Sequence, residues 1–180
     1  IKKESKNKQL VLFLGSSIGN FNTKQSQEFL TDIYKNINNN SYIFTGFDLK
    51  KNISILNKAY NDSSNLTKKF NLNLLTRINS NLKGEFKLKN FIHYGSYNPV
   101  LGAMESYLIS MIKQSVYIKE LNKRFEFEVF EPIHLEYSFK YSEDNISDLA
   151  KSSNFKIIKN YTDKKKYFID SVWKKSIDWN

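Results

Sequence analysis

The run Val11-Leu12-Phe13-Leu14-Gly15-Ser16-Ser17-Ile18-Gly19-Asn20-Phe21 sets small polar groups directly after an apolar segment. Val11 to Leu14 reads as a short strand buried on both faces, the kind a parallel sheet uses. Gly15 and Gly19 permit a tight turn and a close approach of ligand to backbone. Ser16, Ser17 and Asn20 then offer two hydroxyls and an amide beyond the carboxyl end of that strand, where open α/β sheets bind their ligands. An ordinary loop fits the same spacing, so the rest of the chain must decide. Other chemistries are thinly supplied. His93 and His134 are the only histidines and cysteine is absent, which leaves few candidates for a nucleophile–base pair. No acidic cluster has metal-ligand spacing, and the glycine loop lacks the lysine of a phosphate-binding loop. What remains is recognition of a small polar molecule.

The elements that would position this loop follow in order. Residues 1–9 are polar and charged, an exposed lead-in. Asn22 or Thr23 can cap a helix whose stripe is Phe29, Leu30, Ile33, Tyr34 and Ile37. Asn38 to Ser41 is a turn, and Tyr42 to Leu49 reads as a second buried strand ending near Asp48. Strand, helix and strand make one βαβ unit, with a right-handed crossover expected. Ile53 to Tyr60 reads as a helix. Thr67 to Asn79 reads as another, burying Phe70, Leu74, Leu75 and Ile78, with Asn71 and Asn73 placed to tie down the preceding loop, although Asn73 reads equally well as exposed. From Phe91 the chain turns to strands: Phe91 to Tyr94 at an edge, one or two between Ala103 and Ile118, and a half-buried one over Phe125 to Val129. Glu131 to Tyr141 leads into a helix over 142–153. Residues 155–161 and 167–173 then form a closing antiparallel pair.

The 180 residues suffice for one domain with a real core. The net charge of +10 suggests nucleic acid or another acidic partner. However, the lysines are scattered among asparagines and isoleucines, which reads as compositional bias, and no nucleic-acid partner is expected. The lack of cysteine fits a reducing cytoplasm. Nothing approaches the ~18 apolar residues of a membrane span, so no membrane partner is expected either.

The glycine loop, then Ala59-Tyr60-Asn61-Asp62, Phe70-Asn71-Leu72-Asn73-Leu74-Leu75, Ile78-Asn79, Asn98-Pro99 and Glu136-Tyr137-Ser138 together resemble the L-histidine N-alpha-methyltransferase family. The resemblance runs in family order over nearly the whole chain. It implies an α/β fold, the second half of a Rossmann-like methyltransferase sheet with an added β-rich substrate region. On that reading 1–180 is a single domain, 1–62 and 142–180 are the Rossmann-like elements, and 91–141 is the insertion. It implies S-adenosylmethionine as cofactor and an amino acid as substrate, with methyl transfer to the α-amine. Asn20 and Tyr60 would hold the amino and carboxylate end. Glu136 and Ser138, with Tyr137 between them, would meet the imidazole. A carboxylate beside a hydroxyl complements a neutral imidazole, which has one donor and one acceptor nitrogen. Gly15 and Ser17 would line the pocket, and Ser106 would stand where the family has a methionine, which should widen specificity.

By the same resemblance, the family's glycine-rich cofactor loop, its ribose- and adenine-binding acids and its N-terminal tyrosines would lie before Ile1. The chain is therefore expected to carry the substrate half of the pocket. It would act as part of a methyltransferase or as an inactive or split relative needing a separate cofactor-binding chain. A basic nucleic-acid-binding module is the remote alternative.

Overall fold

Strand β1 (Leu10–Phe13) forms where expected, but it is not buried on both faces. Val11 and Phe13 pack on the core, while Leu10 and Leu12 are 61% and 58% exposed. The cause is positional. In the computed structural model, which describes residues 7–175, β1 ends a four-stranded sheet of order β1-β2-β9-β8. It pairs in parallel with β2 (Tyr42–Asp48), Leu10 opposite Tyr42 and Leu12 opposite Phe44. β2 runs antiparallel to β9 (Phe168–Lys175), which runs antiparallel to β8 (Phe155–Thr162). The closing hairpin is as the alternation of the sequence required.

Two helices cover one face of this sheet. α1 (Thr23–Asn36) starts at a capping box: the Asn22 side chain accepts from the Gln25 amide and the Gln25 side chain accepts from the Asn22 amide. Ser142 and Asn145 repeat the device for α4 (Glu143–Ser152). Leu30, Ile33 and Ile37 of the α1 segment and Ile146, Leu149 and Ala150 of α4 close over Ile43, Phe47, Ile169 and Trp173. Phe47 stacks on Trp173 at 5.7 Å. The alternate residues, Leu10, Leu12, Tyr42, Phe44 and Val172, lie on the opposite face and keep solvent exposure.

The chain divides into two units, Ile1–Lys51 with Val100–Ala103 and Ser138–Asn180, and Asn52–Pro99 with Met104–Tyr137. The second holds α2 (Ile53–Tyr60), α3 (Leu66–Leu82), β5 (Gln114–Ile118) and β6 (Lys123–Phe127). It also holds β3 (Phe91–Asn98) and most of β4 (Ala103–Ser110) and β7 (Pro132–Phe139), a sheet of order β3-β4-β7. Two expectations are corrected here. The lead-in to α4 is a full strand, β7. And α3 buries the stripe Asn71, Leu75, Ile78 rather than Phe70 and Leu74, which are 74% and 40% exposed. An asparagine is tolerated on the buried stripe because its amide is used, as described next.

Candidate functional site

In the first unit the loop after β1 is held from several directions. Gly15 and Ser16 both take positive φ, 71° and 57°, which turns the chain sharply after Leu14. The Ser16 hydroxyl accepts from the Asp48 amide at 2.9 Å, and the Ser17 hydroxyl donates to the Leu14 carbonyl at 3.2 Å. Tyr141 donates its phenol proton to the Ile18 carbonyl at 3.2 Å. Burial pushes the Tyr141 phenol pKa above its ordinary value. Gly19 is buried against β7: a Cβ there would stand 3.0 Å from the Phe139 carbonyl oxygen and 3.7 Å from Ser138 Oγ. The absence of a side chain thus lets the Asn20 loop close beside Ser138. Gly15, Ser17 and Asn20 themselves stand exposed.

Behind Ser138 lies an ionic group that sequence reasoning missed. Lys140, 4% exposed, donates to Ser138 Oγ at 2.8 Å and pairs with Asp48 Oδ2 at 2.8 Å. Lys51 pairs with Asp48 Oδ1 at 2.5 Å and donates to the Tyr167 carbonyl at 3.0 Å. The period-two spacing of Ser138 and Lys140 was the one available signal, since it sets both on one strand face.

In the second unit, Tyr60 ends α2, and its backbone carbonyl accepts from His93 Nε2 at 2.9 Å. The other ring nitrogen, Nδ1, accepts from the buried Asn71 amide at 3.0 Å. Asn71 therefore bonds β3 rather than the loop before its helix, and His93 carries the link on to the end of α2, while Asn73 stands exposed. Asn61 bonds both the amide and the carbonyl of Gly95, and Asn57 accepts from the Tyr97 amide. The carboxyl end of α2 is thereby stitched to β3. Asp62 accepts from the Leu66 and Thr67 amides at the start of α3, and these bonds hold its carboxyl below the usual carboxylate range.

Glu136 lies half-buried on β7 and lines a cavity of about 200 Å³ with Phe70, Asn71, Asn73, Leu74, Arg77 and Leu135. Ser106, fully buried on β4, brings its hydroxyl within 3.4 Å of Glu136 Oε1. Tyr137 packs on the His134 ring at 4.1 Å. The predicted residues therefore fall into two groups, Gly15, Ser17, Asn20 and Ser138 in the first unit and Tyr60, Ser106, Glu136 and Tyr137 in the second. Among the described residues no cluster of His, Cys, Asp and Glu could hold a metal ion, and no helix is long and apolar enough to cross a membrane.

Residues 1–175 match the model of a family described as histidine-specific methyltransferase, SAM-dependent. The chain belongs to this family. The histidine N-alpha-methyltransferase of Mycolicibacterium smegmatis is 31% identical over 146 residues, 81% of this chain and 46% of that protein. Ergothioneine biosynthesis protein 1 of Schizosaccharomyces pombe is 27% identical over 161 residues, 89% of this chain and 21% of that protein. The chain thus spans less than half the length of these relatives. A solved S-adenosylmethionine-dependent methyltransferase from Clostridium acetobutylicum superposes with a TM-score of 0.47 at 10% identity, covering 94% of this chain and 60% of that one.

The fold is mixed α/β, and the family to which the chain belongs is S-adenosylmethionine-dependent. The acid at the carboxyl end of β2 is held in an ion-pair group. Each oxygen of Asp48 is engaged by a lysine.

Proposed function

We propose that this chain binds and orients histidine or a related amino acid for transfer of a methyl group from S-adenosylmethionine to its α-amine. In this reading Asn20 and Tyr60 hold the amino and carboxylate end, and Glu136 and Ser138, two residues apart on β7, take the two imidazole nitrogens. Gly15 and Ser17 border the amino-acid end. The observation that carries the reading is the closeness of Gly19 to Ser138. It sets the loop bearing Asn20 against the strand residue assigned to the ring, so that one small molecule can reach both. No side chain is required to bond covalently to substrate. Orientation alone can lower such a barrier by about 7–11 kcal/mol.

The test is Glu136→Ala. Loss of a charged acceptor should weaken histidine binding by about 1.5–3 kcal/mol, while an apolar amino acid, which never used the carboxylate, is little affected. The loss should fall on substrate affinity more than on turnover. Equal losses for both ligands would make Glu136 a structural residue and defeat this assignment.

A second reading is favoured by the exposed apolar face of β1. In it the chain acts only with a separate cofactor-binding polypeptide, whose own strand and helix would cover Leu10 and Leu12. Titration of S-adenosylmethionine into the chain alone separates the two. Micromolar binding would remove the second reading.

A further inference from the structure

We propose that Lys140, fixed by Asp48, occupies one acceptor site of the Ser138 hydroxyl and so biases Ser138 toward donating its proton to its ligand. The argument begins with what each group can do. A lysine ammonium has three donors and no acceptor, whereas a serine hydroxyl has one proton and two lone pairs. At 2.8 Å from Lys140 Nζ, Ser138 Oγ must accept. Its own proton cannot lie on that line and is turned away from Lys140. Accepting from a cation also polarises the O–H bond, since hydrogen bonds in a chain strengthen one another.

The lysine is not free to relax this arrangement. Its side chain is 1% exposed and its ammonium is paired with Asp48 at 2.8 Å. Asp48 is in turn held by Lys51 at 2.5 Å and, through its backbone amide, by the Ser16 hydroxyl at 2.9 Å. A buried ammonium without its carboxylate would be strongly unfavourable, so Asp48 is what keeps the cation beside Ser138. Two lysines share one aspartate, which leaves a net positive group behind the hydroxyl. That field favours a lone pair in front of Ser138 and disfavours a second donor.

The consequence concerns the ligand and rests on the reading that Ser138 meets the amino-acid side chain. The atom facing Ser138 is an acceptor without hydrogen, such as the bare nitrogen of a neutral imidazole. A ring bearing N–H at that position would have to turn the Ser138 proton aside and use its one remaining lone pair, which the adjacent cations disfavour. Lys140 and Asp48 are thus positioning residues for substrate choice, acting through Ser138.

The experiment uses the whole chain with Ser138→Ala, Lys140→Met and Asp48→Asn. Calorimetry reads affinity for histidine and for phenylalanine, which offers no acceptor nitrogen. Ser138→Ala and Lys140→Met should each weaken histidine about three- to tenfold, the range of one hydrogen bond, and leave phenylalanine unchanged. The double variant should lose no more than Ser138→Ala alone, because Lys140 works through that hydroxyl. Asp48→Asn, which keeps the side chain's shape, should give a smaller loss of the same kind and serves if Lys140→Met fails to fold. Full histidine affinity in both Lys140→Met and Asp48→Asn, with a loss in Ser138→Ala, would overturn the inference and leave the proposed function standing. If wild-type chain does not bind histidine, or Ser138→Ala changes nothing, the proposed function fails at this strand. The inference is then decided by nitrogen-15 resonances of the lysine ammonium groups. Protection of the Lys140 protons from exchange, with a shift in Ser138→Ala, supports it. Exchange at the rate of surface lysines overturns it.

Discussion

Gly19 lies against the last residue of β7 so closely that a methyl group on it would stand 3.0 Å from the Phe139 carbonyl oxygen. That oxygen is backbone and cannot swing aside, so Gly19→Ala must displace either the loop or the strand. Overpacking of this kind costs about 1–3 kcal/mol. Chemical denaturation should show the loss, and calorimetry should show weaker amino-acid binding in the folded variant, because the Asn20 loop moves away from Ser138. A variant with unchanged midpoint and affinity would mean that the loop has slack and that its closeness to Ser138 is incidental.

The Asn71–His93–Tyr60 chain gives a second prediction. His93 donates from Nε2 to the Tyr60 carbonyl and accepts at Nδ1 from Asn71. Each bond selects the same neutral tautomer, so the two support one another. Asn71→Leu fills the buried space but leaves Nδ1 without its donor. The expected cost is about 1–3 kcal/mol of stability. A cycle with His93→Phe should show coupling between the two positions. Simple additivity in urea denaturation would show that Asn71 packs without serving the histidine.

Tyr141 should make the fold sensitive to alkali. Burial raises its folded pKa above the ordinary value near 10. The folded state therefore holds the phenol proton more tightly than the unfolded chain does. The resulting stability is fully present below the unfolded pKa and is lost as pH rises through the folded one. Tyr141→Phe removes the bond to the Ile18 carbonyl and should cost about 1 kcal/mol at neutral pH. It should also flatten the decline in stability above pH ~10, the unperturbed tyrosine value. Parallel decline of both proteins across that range would assign the alkaline loss to other groups.

How much of this was legible in the sequence depended on whether a signal was local. The hairpin of β8 and β9 and the helix over Ile53–Tyr60 followed from alternation, turn residues and helical spacing, and they form over nearly the expected residues. Four apolar residues at β1 looked like a strand buried twice over. Whether both faces are covered depends on neighbours that local pattern does not encode, and Leu10 and Leu12 stand exposed. On α3 the expected buried stripe was Phe70, Leu74, Leu75 and Ile78. Leu75 and Ile78 do pack on the core, but Phe70 and Leu74 stand exposed and Asn71 is buried instead, its amide satisfied by His93. The Asp48–Lys140 pair joins residues far apart in the chain, and a lysine after Phe139 reads as an exposed charge until its partner is seen. The family resemblance pointed to Ser138, but the lysines and aspartate grouped behind it were not among the residues it suggested.

Ser106 carries the last prediction, and here burial changes what a substitution should do. As a residue lining an open pocket beside the ring, it would accept a methionine and sharpen the preference for histidine. It is instead fully buried, with its hydroxyl 3.4 Å from Glu136 Oε1. Ser106→Met should therefore overpack the sheet at about 1–3 kcal/mol of stability, visible as a lower denaturation midpoint. Ser106→Ala isolates the hydroxyl. At 3.4 Å the bond is long, so its net worth falls at the low end of the usual range, about 0.5 kcal/mol. Removing it leaves the Glu136 carboxylate less firmly aimed. If Glu136 holds the imidazole, the preference for histidine over phenylalanine should fall about twofold while phenylalanine affinity stays constant. If Ser106 borders the ligand directly, Ser106→Ala should instead raise the affinity of bulkier amino acids such as tryptophan. Calorimetry with histidine, phenylalanine and tryptophan distinguishes the two. A gain for tryptophan with no change for histidine would return Ser106 to the pocket wall and remove it as a support for Glu136.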